Sequence, residues 1–164
     1  MKYAVVYSSR TGNTKLLAET VRDTLPADGC VYFGSPDEKA LTADRIYVGF
    51  WTDKGTCDEE TAGFLKKLTD QEVYLFGTAG FGVSQEYFDK VLSRAEKNLS
   101  KEVSLVGTFM CQGKMPMSVR QRYEKMMNGP SGSFNIQGLI DNFDRALSHP
   151  DARDLENLKK AVCL

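Results

Sequence analysis

Five short apolar runs alternate with amphipathic segments along this chain, and that alternation limits the fold more than any single motif does. The runs cover residues 2–7, Cys30–Phe33, Arg45–Phe50, Glu72–Phe76 and 103–110. Between them, Leu17, Val21 and Leu25 recur at helical spacing over residues 13–25 before Pro26. Phe64, Leu65 and Leu68 do so behind the acidic opening Asp58-Glu59-Glu60, and Phe88, Val91, Leu92, Ala95 and Leu99 behind Ser84, a favoured N-cap residue. Two later stripes, Ile136, Leu139, Ile140, Phe143, Leu147 and then Leu155, Leu158, Val162, predict two more helices. Strand followed by helix, repeated, requires parallel pairing through right-handed crossovers, and near-continuous apolar strands suit a sheet covered on both faces. The expected fold is α/β, a three-layer sandwich around a five-stranded parallel sheet.

A length of 164 residues suits a single domain, 1–164. The 21 basic and 22 acidic side chains leave a net charge of −1 with no basic stripe, which argues against tracking along a nucleic-acid backbone or an anionic membrane. No apolar run approaches the ~18 residues of a membrane span. The opening Met-Lys-Tyr-Ala-Val-Val-Tyr reaches Ser8 too early for a signal peptide, so a cytoplasmic location is expected. Cys30, Cys57, Cys111 and Cys163 contain no C-x-x-C, and His149 is the single histidine, so neither a metal site nor a disulfide framework is expected.

In a doubly wound sheet the ligand sits beyond the C-terminal strand ends, where the strand order reverses. Three loops therefore matter. The first, Ser8-Ser9-Arg10-Thr11-Gly12-Asn13-Thr14, places hydroxyls, a glycine and an amide in a strand-to-helix turn, where free backbone N–H groups can meet an anion. The third run is followed by Trp51-Thr52-Asp53-Lys54-Gly55, and the fourth by Gly77-Thr78-Ala79-Gly80-Phe81-Gly82. A nucleotide P-loop would need G-x-x-x-x-G-K-[ST], and here Gly12 is followed by Asn13-Thr14-Lys15. A phosphatase loop would need a cysteine among residues 8–14, and a phospho-acceptor receiver would need carboxylates where Tyr7-Ser8 and Phe50-Trp51 stand. The dinucleotide fingerprint G-x-G-x-x-G is also missing. No convergent acid, base or nucleophile is visible, so no catalytic residue is expected and a cofactor would carry the chemistry.

Ser9-Arg10-Thr11-Gly12-Asn13-Thr14 matches the phosphate loop [ST]-x-T-G-x-T of the flavodoxins, placed as in that family directly after an N-terminal strand. Trp51, and Phe81 shortly before Glu86-Tyr87-Phe88, are also flavodoxin-like, and the resemblance covers most of the chain. More narrowly, the chain resembles the small flavodoxin-like proteins of anaerobic bacteria, including those accompanying bilirubin reductase. The resemblance implies a flavodoxin-like sheet of order 2-1-3-4-5 and a non-covalent FMN. It implies that Ser8, Ser9, Thr11, Gly12, Asn13 and Thr14 surround the phosphate, with Arg10 peripheral. Trp51 would cover one face of the ring and Phe81 the other, with Phe50 and Tyr87 as competing aromatics. Thr52, Asp53, Lys54 and Gly55 would border the ring, Gly55 being the candidate for a peptide that turns over on reduction, and Thr78, Ala79, Gly80 and Gly82 would complete the site. Negative charge from Asp53, Asp58, Glu59 and Glu60 near the flavin would lower the potential of the anionic reduced form, with Lys54 opposing it. The implied activity is electron transfer between redox partner proteins. An FMN-dependent NAD(P)H:acceptor oxidoreductase of the quinone type is the second reading, and a flavin-free interaction protein the third.

The stretch Cys111–Met127 is the least family-like, within a Met-rich segment 110–127. Five of the six methionines fall between Met110 and Met127, and Val119, Tyr123, Met126 and Met127 share one side of a helical stretch. This segment is expected either to pack over the sheet as an extra helix or to form an adaptable docking surface beside the flavin. Cys57, near a helix N-terminus, is either a thiol of lowered pKa or a buried structural one.

Overall fold

The computed structural model describes residues 1–82, 84–129 and 134–163. Residues 83, 130–133 and 164 lie outside them. The strands are β1 Tyr3–Tyr7, β2 Cys30–Gly34, β3 Arg45–Asp53, β4 Thr56–Cys57, β5 Glu72–Ala79 and β6 Ser104–Gln112. The helices are α1 Asn13–Thr24, α2 Glu59–Leu65, α3 Gln85–Glu96, α4 Met117–Met127, α5 Phe134–Ala146 and α6 Ala152–Val162. Five parallel strands lie in the order β2-β1-β3-β5-β6, which is the expected 2-1-3-4-5 order of a flavodoxin-like sheet.

A sixth strand corrects the expected count. The chain does not leave the sheet after Phe50 but continues to Asp53, turns through Lys54 (φ 52°) and Gly55 (φ 83°), and returns antiparallel as β4. Thr52 pairs with Cys57 and Asp53 with Thr56, so the third loop is the tip of a hairpin. Two residues of pairing carry no periodic signal that a sequence reading could detect.

Strand alternation divides the core in two. Ala4, Val6, Ile46, Val48, Phe50, Val73 and Leu75 face α2 and α3, which contribute Phe64, Leu65, Phe88, Val91, Leu92 and Ala95. Tyr3, Val5, Tyr47, Tyr74 and Phe76 face α1 and α6, which contribute Leu17, Ala18, Val21, Leu158 and Val162. At the top of the central strands, Phe50 pairs with Gly77 and Gly49 with Phe76. Each phenyl ring lies across the neighbouring glycine, where a Cβ would come within 2.4 Å of Phe50 on one strand and 2.5 Å of Phe76 on the other.

Ser84 caps α3 as the sequence suggests, accepting from the Tyr87 N–H, and Asp58, expected only as a charge at the start of α2, is the cap of that helix, accepting from the Thr61 N–H. The Met-rich helix departs from the packed alternative. None of α4 is buried; it lies against α5, where the Arg120 guanidinium meets the Asp144 carboxylate at 2.9 Å. Leu147 is also exposed instead of completing the α5 stripe. No described helix is long and apolar enough to cross a membrane.

Candidate functional site

The first loop is tied into the sheet before it reaches any ligand. The Ser8 N–H donates to the Gly49 carbonyl at 3.0 Å. The Ser9 hydroxyl accepts from the N–H groups of Gly12 (3.1 Å) and Lys15 (3.3 Å), so it braces its own turn. The Thr14 hydroxyl is buried; it donates to the Phe50 carbonyl at 3.0 Å and lies 3.2 Å from the Thr78 hydroxyl. Thr52 donates to the Thr78 carbonyl at 2.8 Å. Hydroxyls on the first, third and fourth loops thus staple the three strand ends together. Of the side chains expected to saturate a phosphate, Ser9 and Thr14 have their hydroxyls engaged in the scaffold, while Ser8 is held there through its backbone N–H.

The backbone is available. Gly12 precedes α1 with φ 91° and provides no side-chain cap. Among the described residues, the N–H groups of Arg10, Thr11, Asn13 and Thr14 find no acceptor. They stand at the positive end of α1, which suits a dianion. Asn13 adds a second requirement. The residue is buried (relative exposure 6%), its Nδ2 donates to the Lys114 carbonyl at 2.8 Å, and its Oδ1 is buried without a partner among the described residues. An orphaned acceptor beside a row of free donors calls for a ligand with a hydroxyl next to an anion, the chemistry of a polyol phosphate.

That loop opens into a cleft of about 270 Å³ beyond the ends of β3 and β5. Arg10, Thr11, Asn13, Trp51, Thr52, Asp53, Lys54, Gly55, Thr78, Ala79, Gly80 and Phe81 line it, so residues from all three expected loops converge. Trp51 is half-buried and its backbone is clamped: its N–H donates to the Asp58 carboxylate (3.3 Å), and its carbonyl accepts the Asp58 N–H (3.1 Å). The Arg10 guanidinium carbon lies 5.4 Å from the centre of the indole. Phe81, 37% exposed, meets Tyr87 edge-on at 6.4 Å, and Tyr87 also lines the cleft. Phe50 does not. Side chains alternate along a strand, so Phe50 points into the α2–α3 core while Trp51 points to the cleft. Gly82 lies against Gln112 and borders a different groove.

The charge around the cleft reverses the expected sign. Asp58 is a buried cap, and Glu59 and Glu60 face a separate hollow with Pro36 and Asp37. Among the charged residues that line the cleft, Arg10, Lys54 and Lys114 face one carboxylate, Asp53. The Gly55 carbonyl accepts from Arg94 at 3.0 Å, adding a further cation near the hairpin tip. Cys57 is the structural thiol of the two alternatives, since burial first and the neighbouring Asp58 charge second push its pKa up.

The segment after β6 is the part of the site that the sequence did not assign. Gly113, Lys114, Met115, Pro116 and Val119 form a further wall of the cleft. The Gly113 N–H donates to the Ala79 carbonyl at 2.9 Å. Met115 is seated on Gly80, whose added Cβ would lie 2.5 Å from the sulfur. Gln112 and Asn142 both donate to the Gly80 carbonyl, at 2.8 and 3.1 Å. The methionine enrichment was the one signal of this wall. A larger groove of about 410 Å³ along the free edge of β6 contains none of the phosphate-loop residues.

A doubly wound sheet with an anion-ready turn and an aromatic-walled cleft at its switch point defines a nucleotide- or flavin-binding α/β protein. Residues 4–163 match the profile of the flavodoxin domain. The chain belongs to the flavodoxin family. It is 43% identical over 172 residues to the flavodoxin-like domain-containing protein BilS of Clostridium symbiosum, covering 94% of this chain and 90% of that protein. Oxidised flavodoxin 2 from Bacillus cereus superposes with a TM-score of 0.63 at 18% identity, over 99% of this chain and 96% of that one. A flavoprotein from Lactobacillus acidophilus, solved in complex with FMN, does so with a TM-score of 0.52 at 14% identity, over 75% and 98%.

Proposed function

We propose that this protein is a single-domain, cytoplasmic electron carrier that holds FMN in the cleft between Trp51, Phe81 and the β6–α4 segment and passes electrons between redox partner proteins. The observation that carries the reading is Asn13. Its buried, unpartnered Oδ1 stands beside free N–H groups at the start of α1, and FMN offers both a ribityl hydroxyl and a phosphate. When bound, FMN supplies the capacity to accept and release electrons.

The chain's own residues do the rest. The backbone of residues 10–14 receives the phosphate, while Trp51 and Phe81 provide aromatic surface for the ring. Arg10, Lys54 and Lys114 surround the cleft with positive charge, which favours the anionic reduced cofactor. Phe81 is exposed at the edge of the cleft, and Met117 and Met126 are exposed on α4, the helix that follows its β6–α4 wall; all three suit an apolar contact with a partner.

The test is a visible spectrum of the purified protein after FMN is added and the excess removed, followed by anaerobic NADPH and then stepwise dithionite. Retained flavin that ignores NADPH and takes up electrons in two resolved one-electron steps is the expected result. Rapid bleaching by NADPH would favour an oxidoreductase, and no retained flavin would refute the cofactor assignment.

A further inference from the structure

The resemblance to flavodoxins assigns the phosphate to backbone and hydroxyls, with Arg10 at the periphery. The fold brings a different cation to the same place. Two clefts meet at the phosphate loop, the ring cleft described above and a second of about 270 Å³ between the start of α1 and the α5–α6 turn. Among the described residues, three line both: Thr11, Asn13 and Lys114. The first two carry free N–H groups, and Lys114 is the cationic residue that lines both clefts among the described residues.

Its backbone is held there from two sides. Its carbonyl accepts from Asn13 Nδ2 at 2.8 Å, and its own N–H donates to the His149 carbonyl at 2.9 Å. The preceding Gly113 lies against the Asn13 side chain so closely that a Cβ would come within 2.5 Å of Nδ2. Lys114 is exposed, and among the described residues no carboxylate forms an ion pair with it. Arg10 has a different position, over the Trp51 indole at 5.4 Å, on the ring side of the loop.

We propose that Lys114 is the cationic partner of the FMN phosphate, and that Arg10 belongs to the ring. The assignment rests on FMN being the cofactor. A lysine on a solvated edge acts as a point charge that adds to the backbone donors without replacing them. Its contribution is therefore moderate and falls with ionic strength, since the screening length is about 10 Å at 0.1 M salt and about 3 Å at 1 M.

The experiment compares FMN with riboflavin, which lacks the phosphate, by fluorescence titration of the full chain at low and high salt. The variants are Lys114→Gln, Lys114→Arg and Arg10→Gln. The expected result is that Lys114→Gln weakens FMN about five- to tenfold at low salt, converging on the unaltered protein near 1 M salt as screening removes the difference. Riboflavin affinity should stay the same, and Lys114→Arg should restore FMN binding. Arg10→Gln should shift FMN and riboflavin by a common factor. Unaltered FMN affinity in Lys114→Gln, or equal losses of FMN and riboflavin, would overturn the assignment while leaving FMN as cofactor. An unaltered protein that binds neither flavin would overturn the cofactor reading itself.

Discussion

The hydroxyl oxygens of Thr14 and Thr78 lie 3.2 Å apart, joining the first turn of α1 to the end of β5 inside the protein. Thr14 also donates to the Phe50 carbonyl, so one side chain links the start of α1 to the ends of β3 and β5. Thr14→Val keeps the shape but leaves that carbonyl and the Thr78 hydroxyl short of a partner. The expected loss is about 1–3 kcal/mol of folding stability, read from urea unfolding, together with weaker FMN binding. Thr11→Val, which lines the cleft without such a role, should lose flavin affinity with little change in the urea midpoint.

Gly12 and Arg10 are neighbours with unequal expected roles. Gly12 has φ 91°, and a Cβ there would meet nothing within 4 Å, so the obstacle to substitution is the backbone conformation and not crowding. A β-branched residue resists that region at a cost of about 1–3 kcal/mol, or shifts the turn and its N–H groups. Gly12→Val should therefore weaken FMN far more than Arg10→Ala, with Thr11→Ala also exceeding Arg10→Ala. Fluorescence titration gives the ranking, and equal losses would contradict it.

The alternation of strands and helices was legible because each apolar run is long enough to show its character and each crossover carries a helical stripe or a turn signal, whereas the strand order came from the resemblance to flavodoxins. The site was legible where its residues are consecutive: Arg10, Thr11, Asn13 and the stretch Trp51–Gly55 all reach the cleft. It was less so where direction matters, because Phe50 and Trp51 are adjacent in sequence yet lie on opposite sides of a strand. The reversal of charge has the same origin, since Asp58 is consumed as a cap while Glu59 and Glu60 turn elsewhere. Lys114 and Met115 were not legible as site residues. The contact that places them, Asn13 to Lys114, spans 101 positions, and no local periodicity records a contact of that range.

Tyr3 and Tyr74 set an alkaline limit on the fold. Burial pushes both phenols up to about 12, and their hydroxyls donate to the Pro26 and Thr108 carbonyls. In the unfolded chain a tyrosine titrates near 10, so between about pH 10 and 12 the unfolded state releases protons that the folded state keeps. The stabilisation is complete below pH 10 and is lost as pH rises through 12. Urea midpoints should be independent of these two groups from pH 7 to 9 and fall above pH 10. Tyr3→Phe should make the alkaline decline shallower.

Met115 and Met117 lie two residues apart and should report on different events. Met115 is seated on Gly80 and lines the cleft, whereas Met117 is 55% exposed at the start of α4, a helix with no buried residue. Met126, 43% exposed, lies on the same helix. If α4 is the docking surface, Met117→Ser with Met126→Ser should slow electron delivery to a protein acceptor severalfold while FMN affinity stays unchanged. Met115→Ser should also weaken FMN, because it opens the wall over Gly80. Stopped-flow transfer rates measured beside FMN titrations separate these effects. An unchanged transfer rate in the double variant would remove α4 from partner recognition and leave the exposed edge of the cleft, around Phe81, as the contact.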